Sequence, residues 1–179
     1  GGETWSFFWR NVDSVEIDPR VPEVARRFFE VVESSRHRIY VSDGRQYLMK
    51  TSEKYDLIVM DAYNHQGVPF HLTTREFVQL AKRHLTPNGL IVAHVIGYFD
   101  GPRNKLFRAI YKTVSQVFRT VYVFPVDYSQ YGSPSSLRNI ILVATDAPAI
   151  SADEILRRAR DLAAGRVVTV DRFVDAAGT

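Results

Sequence analysis

Asp61 closes the segment Tyr55-Asp-Leu-Ile-Val-Met-Asp61. Residues 57–60 are an unbroken apolar run, bounded by polar residues and too short for a helix. Such a run predicts a strand buried on both faces. Open α/β sheets bind ligands just beyond the carboxyl ends of their strands, so an acid there can act as an acceptor or a general base. Two earlier strands end in acids as well: Glu16-Ile17-Asp18-Pro19 follows residues 13–17, and Ser42-Asp43-Gly44 follows residues 38–41. Right-handed crossovers would bring these ends to one edge of a sheet. An acid after the second strand of a nucleotide-binding unit typically accepts from ribose hydroxyls, and a carboxylate pair suits a diol. Asp43 can accept from an exocyclic amine, while Gly44 lets the backbone approach a base. The chemistry these acids suggest together is nucleoside binding. Each alone has a simpler reading, since Asp-Gly is a common turn and Asp61 could only hold the loop after it.

Other chemistries have less support. The five histidines (37, 65, 71, 84 and 94) contain no tight ligand pair except His65 and His71, which share one loop and read as loop polar groups. No metal is expected. No Gly-x-Ser-x-Gly elbow occurs. With no cysteine, disulfides and thiolate sites are excluded. The net charge is only +3, and Arg26-Arg27 and Arg157-Arg158 lie on helices rich in Glu and Asp. That pattern reads as solvated helix faces and argues against a nucleic-acid partner. No run approaches the roughly 18 apolar residues of a membrane span, and Trp5-Ser-Phe-Phe-Trp9 is too short for a signal peptide, so a cytoplasmic location is expected.

The elements that must position the acids alternate. A helical turn at 4–10 precedes the strand at 13–17, which stops at Pro19. A helix over 22–29 should bury Val24, Phe28 and Val31 or Val32. The strand at 38–41 leads to a short helix at 46–50 and the strand at 55–61. The loop at 62–72 contains Gly67 and Pro69, and Thr73-x-x-Glu76 reads as the capping box of a helix over 74–84. That helix should turn Phe77, Leu80, Ala81 and His84 or Leu85 inward. Pro87-Asn88-Gly89 predicts a turn and 90–95 a strand. A helix over 104–118 repeats Leu106, Ile110, Val114 and Val117 at helical spacing. Strands at 120–125 and 139–145 flank a loop at 127–137, and Ser151-x-x-Glu154 caps a helix reaching about residue 164. A short extended segment is expected at 167–174. The alternation predicts one α/β domain over 1–179, a mostly parallel sheet with helices on both faces. The strand at 139–145, joined to its predecessor without a helix, should run antiparallel.

Val15-Glu-Ile-Asp18, Ser42-Asp-Gly44, the Tyr55-to-Asp61 strand and Pro69 through Leu72-Thr-Thr-Arg-Glu-Phe77 resemble, in order and spacing, the spermidine synthase (polyamine aminopropyltransferase) family. Residues 95–142 look closest to a divergent branch often fused behind membrane spans. The resemblance implies the Rossmann-like fold of class I S-adenosylmethionine-dependent methyltransferases. It implies decarboxylated S-adenosylmethionine, or S-adenosylmethionine itself, as co-substrate. It also implies transfer of an aminopropyl group to a small-molecule amine, a homodimer and, through the fused branch, a membrane partner. By position, Glu16 and Ile17 match the ribose-binding segment, Asp43 and Gly44 the adenine-binding turn, and Asp61 the catalytic acid, which is also counted among the cofactor-binding residues. Tyr63, Asn64 and His94 fall where relatives bind the amine.

Three positions depart from the family pattern. Asn64 replaces a second loop acid, and His94 stands where relatives carry Gln and Glu, so an acceptor less cationic than a diamine is expected. The family's first strand and most of its glycine motif are absent, with residues 1–11 read as its remnant, and two strand edges should be exposed as a result. A methyltransferase and a non-catalytic nucleoside-binding regulatory domain are the competing functions.

Overall fold

A computed structural model describes the protein at residues 11–63, 67–126 and 137–165. The expected helical turn at 4–10, the tail segment at 167–174 and Asn64 lie outside the described residues. The chain forms two compact units, residues 1–55 with 63–86, and residues 56–62 with 87–179. Among the described residues no helix is long and apolar enough to cross a membrane.

In the first unit, β1 (Val12–Glu16) pairs in parallel with β2 (His37–Val41), with Glu16 opposite Val41. Helix α1 (Arg20–Phe28) lies between them in sequence. Its expected apolar stripe is largely exposed: Val24 is 45% exposed, Phe28 64% and Val32 69%, while the alternative Val31 is half-buried. Helical spacing shows which side chains share a face but not whether anything covers it, and Pro22 is the buried residue of this helix. Helix α2 (Gly44–Lys50) contributes Leu48 to the core. A single 3-10 turn at Phe70–Leu72 precedes α3 (Arg75–Arg83). Phe77, Leu80 and Ala81 of α3 are buried as expected, joined by Val78. The capping residue is Thr74, whose hydroxyl accepts from the Phe77 amide at 3.2 Å, one position later than the expected Thr73. Thr73 instead donates to the Phe70 carbonyl and closes the 3-10 turn.

A polar cluster ties β1, β2 and α2 to Tyr55. The Asp13 side chain is 3% exposed and pairs with the Arg38 guanidinium at 2.8 Å. Its Oδ2 accepts from the hydroxyls of Tyr47 at 2.9 Å and Tyr55 at 2.8 Å. Those two hydroxyls are 2.8 Å from each other, so two phenolic protons serve three short contacts. Burial, reinforced by Asp13, pushes Tyr47 up to about 12 and Tyr55 above its ordinary value. Both phenols therefore keep the protons they donate.

The second unit is built on a four-stranded sheet in the order β3-β4-β6-β5, from β3 (Tyr55–Met60), β4 (Leu85–Tyr98), β5 (Thr120–Pro125) and β6 (Leu137–Thr145). As expected, β6 is antiparallel to both β4 and β5. β4 is longer than anticipated because the expected turn is absorbed into it, with Asn88 taking the left-handed φ of 64° that asparagine tolerates. Burial alternates along β4: Ile91, Ala93 and Val95 form the core with Ile140, Leu142 and Ala144 of β6. Helix α4 (Lys105–Ser115) adds Phe107, Ile110 and Val114; Leu106, expected inside, is 48% exposed. In α5 (Ala152–Gly165), Glu154 pairs with Arg157 and Arg158, the solvated helix face anticipated from composition. The Glu154 amide hydrogen-bonds to Ser151 Oγ, so the cap is where the sequence places it.

The strands at 13–17, 38–41 and 55–61 were expected in one sheet, and they are not: β1 and β2 form a two-stranded sheet separate from that of β3. Strand order within each sheet follows a class I methyltransferase. Among the described strands β3 stands at the end of its sheet, and it is not buried on both faces. Leu57, Ile58 and Met60 are half-buried and Val59 is 42% exposed.

Candidate functional site

In the first unit, the acids at the ends of β1 and β2 meet different fates. Glu16 turns Oε1 back to accept from the Asp18 amide at 2.9 Å, holding the turn after β1. Asp18 is engaged by Arg20, whose amide and guanidinium both donate to it. The Arg20 hydrogen bonds hold Asp18 down at about 2. Asp18 therefore serves the start of α1, and Glu16 is the acid of this pair suited to a diol. Ile17 follows with a side chain 65% exposed. Asp43 is the N-cap of α2: its Oδ1 accepts from the Gln46 amide at 2.9 Å. Its Oδ2 lies 2.7 Å from Nε2 of His71, in the 3-10 turn. Burial raises Asp43, but the Gln46 amide and His71 outweigh it and leave the carboxyl below its usual range. A Cβ on Gly44 would meet nothing within 4 Å, so neither packing nor a positive φ requires glycine there. Gly67, in the loop after Asp61, has a φ of 112° that side-chain-bearing residues rarely adopt.

In the second unit, Asp61 follows β3 with its side chain 63% exposed, and its Oδ1 is 2.8 Å from Nδ1 of His94 on β4. Nε2 of His94 is 2.8 Å from the amide oxygen of Asn139 on β6. The β4–β6 register explains this triad. Asn139 lies opposite Ile96, on the face His94 shares, while Val95 and Ile140 point to the core. Both ring nitrogens face oxygens, and both can donate only as an imidazolium; a neutral ring would need the Asn139 amide reversed. Burial lowers His94, yet the hydrogen bonds with Asp61 and Asn139 leave it above the ordinary 6.5. His94 was expected to be a weak hold on an amine. It is the direct partner of the strand-end acid.

This has a measurable consequence. A histidine raised by its partners stabilises the fold fully below about pH 6.5, and that contribution fades as pH rises through the raised folded value. In an NMR titration His94 should change protonation above 6.5, and Asp61→Asn should bring its midpoint down. A midpoint at or below 6.5 in the wild type would contradict the pairing.

Of the other anticipated residues, Tyr63 is half-buried in the first unit and Asn64 lies outside the described residues. His71 and Asn139 were not anticipated as site residues. Neither carries a local signal, because their partners Asp43 and His94 are 28 and 45 residues away.

Acids at the ends of strands, on α/β units with this strand order, define a Rossmann-like domain of the class I methyltransferase type. The spermine/spermidine synthase domain matches residues 7–149. The chain belongs to that family. The polyamine aminopropyltransferase of Vibrio vulnificus is 34% identical over 119 residues, 65% of this chain and 38% of that protein. The one from Thermococcus onnurineus is 35% identical over 126 residues, 68% of this chain and 44% of that protein. The chain thus spans less than half the length of these two relatives. Among solved structures, a probable spermidine synthase from Corynebacterium glutamicum aligns with a TM-score of 0.68 at 26% identity, over 82% of this chain and 53% of that one. Human methyltransferase-like protein 13, solved with SAH, aligns with a TM-score of 0.70 at 23% identity, over 92% of this chain and 71% of that one, a likeness of fold alone.

Proposed function

We propose that the protein is a transferase that binds decarboxylated S-adenosylmethionine and passes its aminopropyl group to an amine less cationic than putrescine. The carboxylate acceptors suit such a nucleoside. Glu16 would take the ribose hydroxyls with Ile17 beside it, and Asp43 the adenine amine, with open space at Gly44 for a base to approach. The bound sulfonium supplies an electrophilic carbon. The amine nitrogen bonds to that carbon, the carbon–sulfur bond breaks and methylthioadenosine leaves. Asp61 is the residue we assign as the base that takes the proton the amine sheds.

The observation that carries the acceptor class is the Asp61–His94 contact. A carboxylate whose Oδ1 is already engaged by His94 has less capacity left for a dication. Asn64 and Tyr63, following Asp61 in the family's amine-binding segment, add no second carboxylate. Loss of one charge-assisted hydrogen bond costs roughly 1.5–3 kcal/mol, or about one to two powers of ten in binding, so putrescine should be weak. The test is methylthioadenosine release by the full-length protein from decarboxylated S-adenosylmethionine with a panel of monoamines and diamines. Monoamines should outrun putrescine, and Asn64→Asp should narrow the gap. Efficient turnover of putrescine would refute the acceptor class, and silence with every amine would refute the transferase.

A further inference from the structure

We propose that His71 is the positioning residue of Asp43, setting that carboxylate to prefer an amino over an oxo group on the nucleobase. The inference rests on the nucleoside role proposed for Asp43. Both Asp43 oxygens already have donors, the Gln46 amide on Oδ1 and His71 Nε2 on Oδ2, so the plane of the carboxylate is held from two sides. The two donors come from different elements, one from α2 and one from the 3-10 turn. That turn is itself anchored: Leu72 is buried, and Arg45 Nη1 donates to the His71 carbonyl at 3.3 Å. His71 is therefore not a loose loop side chain reaching for a nearby charge. Its backbone is tied to the same helix whose cap it touches.

The chemistry follows from proton inventory. A carboxylate held ionised by two donors is acceptor-only. Its remaining lone pairs can receive the N–H of a 6-amino group but meet a 6-oxo group lone pair to lone pair. Without His71, Oδ2 loses the donor that orients it. The backbone amides at the start of α2 then remain as its donors, with no side chain holding Oδ2 from the 3-10 turn. The cap of α2 survives, because it uses Oδ1. Loss of His71 should therefore spare the fold and blunt base selection.

The experiment is calorimetric titration of the full-length protein with methylthioadenosine and with its hypoxanthine counterpart, methylthioinosine. His71→Gln and His71→Asn are compared with the wild type. The glutamine amide nitrogen reaches about as far as Nε2 and can still donate to Asp43, whereas the asparagine amide is too short. Wild type and His71→Gln should prefer the adenine compound. His71→Asn should bind it roughly tenfold more weakly and lose a comparable part of its preference, with an unchanged unfolding midpoint. A purely structural His71 would weaken both nucleosides alike. Equal preference in all three proteins would overturn the role of His71 while leaving Asp43 as the nucleoside acid. Failure of the wild type to bind either compound would instead remove the nucleoside reading, and this inference with it.

Discussion

Asp61→Asn should cut methylthioadenosine release by about two to four powers of ten while leaving nucleoside affinity nearly unchanged. The size is that of removing a general base. Asparagine keeps the shape of the side chain and an oxygen for Nδ1 of His94, so the backbone after β3 has no reason to move. It cannot accept the proton that the attacking amine must shed. His94 does not replace it, because Nδ1 and Nε2 are already turned toward Asp61 and Asn139. The comparison of turnover with binding separates this from a general disturbance, which would lower both. Full turnover in Asp61→Asn would mean that the base lies elsewhere, and an equal loss of affinity and turnover would mean that Asp61 holds the fold or the nucleoside instead.

The second large effect is on stability. Asp13→Ala should lower the unfolding free energy by about 3 kcal/mol. The carboxylate is nearly inaccessible and is the shared acceptor for Arg38, Tyr47 and Tyr55. Alanine leaves a guanidinium without its Asp13 counter-charge and removes the shared acceptor of two part-buried hydroxyls. The loss stays below the extreme for a buried ion pair because the Arg38 side chain is 46% exposed and water can reach it. Tyr55→Phe removes a single donor and should cost about 1 kcal/mol. Urea unfolding measures both as shifts of the midpoint. A change in Asp13→Ala no larger than in Tyr55→Phe would show that the cluster is not a cooperative unit.

Asp13 illustrates where pattern stops being informative. It lies in a strand whose acid of interest was Glu16, and nothing nearby in the chain marks it. Its partners come from β2, α2 and the start of β3, so its environment exists only once those elements pack. The reverse happened to Asp18, a strand-end acid in sequence but the ion partner of Arg20 in the fold. A contact between residues two apart decided that, yet whether Asp18 faced Arg20 or a ligand depended on the backbone after Glu16.

The alternation of strand and helix, the antiparallel β6 and the strand-end placement of Glu16, Asp43 and Asp61 were all legible in the residues. Each depends on local period, on turn chemistry or on the length of a connection, and these are properties of neighbours in the chain. The family was legible for the same reason, since its motifs are short and ordered. Tertiary structure alone decided that Val24 and Phe28 of α1 are exposed, and that His94 joins Asp61 to Asn139. A period of two tells which residues share a face of β4, but the β4–β6 register selects the residue opposite them. Burial is likewise a relation between elements: the sequence of a strand or helix states which side is apolar, and only packing states whether that side is covered.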